Sequence, residues 1–127
     1  MSPLKSYKEL IVWQRAIELV REVYTLTEMF PKSENYGIVS QMRRASVGIP
    51  SVIAEGYGRK SPKEYRQFYA IAFGSALELE TQIIISKMLK FAHEDVFVKV
   101  DSLLLEVLRM LNKMMRSLKS SQLNARP

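Results

Sequence analysis

Basic residues recur at helical spacing near the C-terminal end of the chain. Arg109, Lys113 and Arg116 lie four and three positions apart, so a helix would place them on one face. Like charges at this spacing repel one another, and a bound anion would relieve that repulsion. This basic stripe indicates a contact surface for nucleic-acid phosphates. The alternative is a solvated helix face on which Glu106 partly compensates the charge.

A second group of basic residues surrounds the predicted start of a helix. Its members are Arg59, Lys60, Lys63 and Arg66. Backbone amides at a helix N-terminus add to the side-chain charge in attracting phosphate. Tyr57 and Tyr65 lie nearby in sequence, where they either stack on bases or form part of the core. We refer to the four basic residues as the α3-start cluster, after the third predicted helix, α3, at approximately residues 62–90.

Two adjacent arginines, Arg43 and Arg44, have an ambiguous role. We expect one of them to form a structural ion pair with Glu55, Glu78 or Glu80, where loss of one partner would leave an unpaired charge. The other is expected to contact a partner at the surface. Which arginine takes which role stays open at this point.

Residues suited to catalysis or metal binding are few. His93 is the only histidine and lies in a short connecting segment, which favours a solvated loop residue or helix cap over a metal site. Glu78 and Glu80 are two positions apart on a predicted helix and point in different directions, so they are unsuited to shared acid/base chemistry. The stretch "GYGRKS" lacks the spacing of a phosphate loop. We therefore expect no catalytic residue, no metal, no cofactor and a protein that is not an enzyme.

Length and composition indicate one domain over residues 1–127, with 47% hydrophobic residues to form a core. The absence of cysteine excludes a disulfide framework and a thiolate metal site. No secretion signal and no run of 18 uncharged apolar residues is recognised, so we expect a cytoplasmic protein that does not interact with membranes.

The net charge of +6 is unevenly distributed along the chain. Residues 40–66 hold six basic and two acidic residues, and residues 107–127 hold five basic residues and no acidic one. Residues 67–106 hold three basic and six acidic residues. Such segregation is typical of a protein with an anionic partner, although solubility alone also selects a basic surface.

Hydrophobic periodicity predicts four helices, over approximately residues 7–29, 33–56, 62–90 and 95–119, with 120–127 as a frayed tail. Ser6 with Glu9 reads as a capping box for the first helix, and Ser33 as the cap of the second. Pro50 is expected to kink the second helix, which Gly56 and Gly58 would close in the left-handed conformation. Short connections favour an all-α, antiparallel, up-down-up-down four-helix bundle.

The predicted third helix is unusually apolar. Between Phe68 and Ile85 its only charged residues are Glu78 and Glu80. A helix in a lone bundle buries one stripe, so a helix that is apolar on more than one side predicts a subunit interface. We therefore expect a homo-oligomer.

Several motifs together resemble the four helix bundle proteins of the 23S rRNA intervening-sequence family. They are VWQ, FP..E.YG, SQ.RRA, IP..IAEG and GS..E.ET, within a match of roughly residues 7–118. The resemblance implies a barrel-shaped homopentamer with a basic surface. A related group is the accessory variability protein of diversity-generating retroelements, which binds nucleic acid and a reverse transcriptase. Where the family commonly has serine and asparagine in "SIPSNIAEG", this chain has Gly48 and Val52, so a polar role for that segment is not expected.

The leading hypothesis is a non-enzymatic, oligomeric protein that binds RNA, DNA or another structured nucleic acid through phosphate contacts. The candidate residues are Arg43, Arg44, the α3-start cluster and the basic stripe. The alternative is an interaction scaffold that presents a basic ring surface to an acidic protein, with a reverse-transcriptase-like protein as a further possible partner.

Overall fold

Four long helices pack side by side around one apolar core. The computed structural model describes residues 6–124 and gives α1 as Ile11–Thr27, α2 as Ile38–Tyr57, α3 as Pro62–Met88 and α4 as Val98–Asn124. Each helix packs against its neighbours in sequence, and α1 also packs against α4. The described residues contain no strand. The predicted all-helical four-helix bundle is therefore confirmed.

The first helix begins later than predicted. Ser6 does cap a helical turn, but its side chain accepts a hydrogen bond from the Lys8 N–H at 3.0 Å and the turn is a short 3-10 segment, Tyr7–Glu9. Leu10 then takes an extended conformation with φ −70° and ψ 126°, which interrupts the helical path. The α-helix consequently starts at Ile11 rather than at residue 7, and it ends at Thr27 rather than at residue 29.

The start of the second helix was also predicted too early. Ser33 lies inside a 3-10 segment, Lys32–Glu34, instead of capping α2. Gly37 has a non-helical backbone, with φ −108° and ψ −116°, so the helix begins only at Ile38. It then continues through Pro50 to Tyr57, one residue beyond the predicted end. The kink at Pro50 stays a prediction.

Neither glycine at the end of α2 is left-handed, and Gly56 is required there for close packing. Gly58 has φ −77°, and no described glycine has a positive φ. A Cβ built on Gly56 would lie 2.6 Å from Cβ of Phe68 on α3, a distance that real Cβ atoms essentially never show. Gly56 therefore lets the end of α2 approach the start of α3.

Gly56→Ala is expected to lower the free energy of unfolding by about 1–3 kcal/mol, because the added methyl overpacks the contact with Phe68. Gly48→Ala is the matched control in the same helix. Its new Cβ would lie 3.6 Å from Oγ of Ser75, an ordinary contact, so helix propensity should leave this variant unchanged or more stable by up to about 1 kcal/mol. Urea unfolding measures both changes. Equal effects of the two substitutions would contradict the role of Gly56 in close packing against Phe68.

The boundaries of α3 and α4 are close to those predicted. Oγ of Ser61 accepts a hydrogen bond from the Glu64 N–H at 3.2 Å, and Pro62 occupies the first turn. The helix α3 ends at Met88, shortly before Lys90 with φ 58°. The 3-10 segment Glu94–Phe97 precedes α4, which continues to Asn124 instead of fraying from residue 120. The predicted tail beyond this point, residues 125–127, lies outside the described residues.

The core is built from the predicted repeats. Three-four spacing of apolar residues predicts one seam on each of α1, α2 and α4, and most members of these seams are buried: Val12, Ala16, Leu19, Val23, Leu26, Phe30, Val39, Met42, Ser46, Ile49, Ile53, Phe97, Val100, Leu104, Val107 and Leu111. Met114 and Leu118, the last two members of the predicted α4 seam, are only half-buried. The same spacing predicts a second seam on α1, formed by Leu10, Trp13, Ile17, Val20, Tyr24 and Thr27. Ile17 and Tyr24 are exposed, Leu10, Trp13 and Val20 are half-buried, and only Thr27 is buried. This side of α1 is only partly covered within one copy.

The helix α3 keeps apolar surface outside the core. By length and hydropathy it could cross a membrane, and 33% of its most apolar window is buried. Core helices of bundles meet the same criteria, and α3 packs against α2 and α4. Its large exposed apolar residues are Ile71, Leu77, Ile84 and Met88. As predicted, α3 therefore has apolar side chains beyond those that the core of the bundle buries.

Candidate nucleic-acid interface

The basic stripe occupies the outer face of α4. Arg109, Lys113 and Arg116 are all exposed, and none of them forms an ion pair with any other described residue. Since the three side chains belong to one helix and are spaced at three and four residues, they lie on the same side of the bundle. The stripe is a set of positive charges that an external anion can reach.

The expected compensation by Glu106 does not occur. Oε1 of Glu106 accepts a hydrogen bond from Nε of Arg15 on α1, at 2.9 Å. Glu106, followed by Glu18, raises the pKa of Arg15. A second cross-helix pair, Lys99 with Glu22 at 3.1 Å, joins the same two helices. The acidic residue nearest in sequence to the stripe is thus engaged with α1.

The α3-start cluster divides into two kinds of residue. Lys60 and Lys63 are exposed and form no ion pair within the described part of the chain. Arg59 instead lies over the Phe68 ring, 4.6 Å from its centroid, and contacts Oε1 of Glu55 at 3.5 Å. Arg66 is half-buried, and its Nε is buried without a hydrogen-bond partner. The two lysines are therefore the exposed cations of this cluster without an ion pair, whereas Arg59 is exposed but engaged with Phe68 and Glu55.

The tyrosines beside this cluster line a cavity at the end of the bundle. Leu10, Tyr57, Tyr65 and Tyr69 enclose about 370 Å³. Burial, followed by the proximity of Tyr65, raises the pKa of the Tyr69 hydroxyl. Tyr65 packs against the core cluster, so it has a structural role in the bundle.

The two adjacent arginines have clearly different environments. Nε of Arg43 donates to Oγ1 of Thr27 at 3.0 Å, and one of its terminal nitrogens contacts Oε1 of Glu28 at 3.1 Å. Its guanidinium also lies 4.4 Å from the centroid of the Tyr24 ring. Arg44 is exposed and has no ion pair among residues 6–118. Arg43 is therefore the structural arginine and Arg44 the exposed one.

The predicted partners of the structural arginine were wrong. Glu55 pairs with Arg59, and among the described residues Glu78 and Glu80 form no ion pair. The actual partner, Glu28, follows the last residue of α1. Because α2 begins at Ile38 instead of residue 33, Arg43 lies in its second turn and faces the end of α1. The sequence analysis did not recognise that α2 begins at Ile38, and for this reason it did not identify Glu28 as the partner of Arg43.

Arg43→Ala is expected to lower the free energy of unfolding by about 1–3 kcal/mol, because it removes hydrogen bonds of a charged group and leaves the buried Thr27 hydroxyl without this donor. Arg44→Ala is the neighbouring control and should change stability by no more than about 0.5 kcal/mol. Chemical unfolding of both variants under one condition measures the difference. A larger loss for Arg44→Ala would reverse the assignment.

The structure brings together few groups suited to catalysis. His93 is exposed in the connection between α3 and α4, where its Nδ1 contacts the Asp95 carboxylate. Within the described residues, no three histidine, aspartate or glutamate side chains come close enough together to hold a metal ion. The charged surfaces are consequently the strongest functional feature.

A solved structure shares this arrangement of helices. It is the crystal structure of a protein with unknown function from the S23 ribosomal protein family of Bacteroides thetaiotaomicron, 15% identical in sequence. The superposition covers 83% of this chain and 98% of that chain, with a TM-score of 0.76. At this identity the likeness concerns the fold. No curated protein sequence matches the chain.

The sequence itself gives the family assignment. Residues 8–113 match the family described as 23S rRNA-intervening sequence protein, and they include all of α1, α2 and α3 and most of α4. The motifs that suggested this resemblance lie within the match. The chain therefore belongs to the 23S rRNA-intervening sequence protein family.

Proposed function

We propose that this protein is a non-enzymatic, self-associating nucleic-acid-binding protein that contacts phosphates through its basic surface. The observation that carries the proposal is the stripe of Arg109, Lys113 and Arg116, which is exposed and without an ion pair in the described residues while Arg15 engages Glu106. The family name associates such chains with the 23S rRNA gene region, which favours RNA as the nucleic acid.

The geometry of the stripe suits a phosphate backbone. From Arg109 to Arg116 it extends roughly 10 Å along the axis of α4, at about 1.5 Å per residue. Phosphates of one duplex strand follow at about 3.4 Å along the duplex axis, so three cations can neutralise neighbouring phosphates. Phosphate contacts carry no base identity, and the protein should therefore bind structured RNA and DNA with little sequence preference. Lys60, Lys63 and Arg44 supply further exposed charge.

Contacts between the helices support an antiparallel, up-down-up-down order, which we include in the proposal. Gly56 near the end of α2 meets Phe68 near the start of α3. Lys87 near the end of α3 pairs with Asp101 near the start of α4, at 2.5 Å. We further propose a cytoplasmic location and a homo-oligomer, for which the resemblance implies five copies.

A salt titration tests the proposal directly. Labelled RNA hairpins, duplex DNA and single strands are titrated with the full chain at several salt concentrations, and binding is followed by fluorescence anisotropy. Counterion release requires the logarithm of affinity to fall linearly with the logarithm of salt concentration. Absence of binding at low salt, or affinity that does not depend on salt, would refute phosphate recognition.

The alternative partner is an acidic protein, including a reverse-transcriptase-like one. One observation favours it: α4 has no aromatic residue between Val98 and Leu118, so the stripe offers charge without a stacking surface for bases. Carboxylates would bind such a stripe as phosphates do. Partners that remain bound after nuclease treatment would support this alternative, whereas partners released by nuclease would support nucleic-acid binding.

A further inference from the structure

Three tyrosines line a cavity at one end of the bundle. Tyr57 at the end of α2 and Tyr65 and Tyr69 near the start of α3 enclose, together with Leu10, about 370 Å³. We refer to this space as the tyrosine cavity. Binding sites for small ligands hold roughly 300–1,000 Å³, so the cavity has room for one small planar ring system and not for a duplex.

Tyr69 brings a polar group without a partner to this cavity. The residue is only 8% exposed, yet its hydroxyl forms no hydrogen bond within the described residues. Buried tyrosine hydroxyls ordinarily find a partner. Burial, followed by the proximity of Tyr65, raises the pKa of Tyr69, so the hydroxyl keeps its proton at neutral pH and is available as a donor. A ligand with a carbonyl oxygen or ring nitrogen would supply the acceptor.

Cations accompany the tyrosines at this end of the bundle. Lys60 and Lys63 are exposed and have no ion pair within the described residues. Arg66 directly follows Tyr65, and its buried Nε has no hydrogen-bond partner there. The carboxylate of Glu64 is engaged with the chain itself, since Oε2 accepts a hydrogen bond from the Lys60 N–H at 3.2 Å. A planar ligand that carries a negative charge therefore suits this region better than a neutral one.

The basic stripe lies toward the same end of the bundle. Near the start of α1, Arg15 contacts Glu106 of α4 at 2.9 Å, and the stripe begins three residues after Glu106. In the proposed antiparallel order, α4 continues from this contact toward the start of α1. The ring of Tyr7, which directly precedes α1, lies 6.4 Å from that of Tyr57 between centroids, so the tyrosine cavity is at that end too.

We propose that the tyrosine cavity receives the base of an unpaired nucleotide, which stacks on the tyrosine rings and accepts a hydrogen bond from Tyr69, while nearby cations hold the adjoining phosphates. Stacking on aromatic side chains tolerates any base, because every base has a π-face. A base inside a duplex is already stacked and paired, so hairpin loops and overhangs should bind more tightly than blunt duplexes. This role rests on the phosphate contacts of the proposed function and adds the stacking surface that α4 lacks.

Two RNA ligands that differ only in their bases test the proposal on the full chain. Both are the same duplex with a short 3′ overhang, and in one of them every overhang nucleotide is abasic, so the phosphates are identical. At one salt concentration, the wild type should bind the complete overhang about 5–100-fold more tightly, the range expected for stacking of one base. Salt slopes should be equal for the two ligands. Equal affinities would overturn the proposal.

Two cavity variants and one control locate the effect. Tyr65→Leu keeps an apolar side chain against the core but removes the ring, so it should abolish most of the preference for the complete overhang. Tyr69→Phe removes only the unpartnered hydroxyl, so it should reduce the preference roughly two- to tenfold without changing stability. Tyr36→Leu, at the fully exposed tyrosine before α2, is the matched control and should retain the full preference. Undiminished preference in either cavity variant, with helicity verified by circular dichroism, would overturn the proposal.

The same titrations separate the role of the cavity from the proposed function. Salt-dependent binding of both ligands with equal affinity refutes base stacking alone and leaves phosphate recognition intact. Absence of binding to either ligand at low salt refutes phosphate recognition, and the role of the cavity is refuted with it. Alanine at Arg109, Lys113 and Arg116 should weaken both ligands by a similar factor and preserve the ratio of their affinities, because the stripe contacts only phosphates.

Discussion

Replacing Arg109, Lys113 and Arg116 together with alanine is expected to weaken nucleic-acid binding by roughly a hundredfold at physiological salt. Each cation that neutralises a phosphate contributes about 0.7–0.9 to the slope of log affinity against log salt, so the slope should fall by roughly 2–3 for each engaged copy. All three side chains are exposed and unpaired within the described residues, so their loss should change the free energy of unfolding little. Anisotropy titrations between about 50 and 200 mM salt measure both quantities.

The matched control exchanges the two kinds of cation. This variant carries Arg109→Lys, Lys113→Arg and Arg116→Lys in one chain, so the charge at every position is preserved. If the phosphate contacts depend on charge alone, the variant should keep most of the affinity and of the salt slope. If this variant loses as much affinity as the alanine triple, the contact depends on specific side-chain geometry and the phosphate mechanism is wrong. If the triple alanine variant binds nucleic acid with wild-type affinity, the binding site does not lie on α4.

The sequence predicts the helices and the core of this protein well because both follow from hydrophobic spacing. The predicted repeat from Phe97 to Leu118 gave the buried side of α4 as far as Leu111, and the buried seams of α1 and α2 follow from the same spacing. The cap at Ser61 was also correct, since serine followed by proline and glutamate has a strong local preference. These features depend on residues close together in sequence.

Features that depend on an irregular backbone turn or on distant residues were predicted less well. The start of α2 was placed at Ser33 although the helix begins at Ile38, because local capping preference does not register the turn at Gly37. Gly56 was interpreted as a left-handed cap, whereas its role is contact with Phe68 on another helix. The partner of Arg43 was missed for the same reason.

The charged surface likewise combines features that follow from local spacing with features that depend on residues distant in sequence. Spacing alone correctly placed Arg109, Lys113 and Arg116 together on an exposed face. It could not show that Arg15, far away in sequence, holds Glu106 at 2.9 Å. It also could not separate Arg59, which lies against Phe68, from the freely exposed Lys60. Charge patterning identifies a candidate surface, and tertiary contacts decide which of its cations are available to a partner.

Phe97→Ala is expected to lower the free energy of unfolding by about 3–5 kcal/mol, the largest stability loss predicted for a single substitution here. Phe97 is 1% exposed and its ring centroid lies 6.0 Å from that of Phe30, which in turn lies 5.7 Å from Phe91. The three rings connect the segment after α1 with the connection between α3 and α4. Removing the Phe97 ring leaves a cavity and ends one of the two ring contacts that Phe30 makes, while the contact between Phe30 and Phe91 remains.

Urea unfolding at one fixed protein concentration measures this loss, because self-association shifts the apparent stability. Since small domains are stable by only about 5–15 kcal/mol, Phe97→Ala should lose a large fraction of the total stability and unfold at a clearly lower urea concentration. Phe97→Leu is the matched control: it retains an apolar side chain, so its cost should be clearly smaller than that of alanine. Tyr36→Ala, at a fully exposed aromatic residue, should cost almost nothing. Equal costs at Phe97 and Tyr36 would mean that the aromatic cluster does not join the two connections, and the bundle would then depend on its aliphatic seams alone.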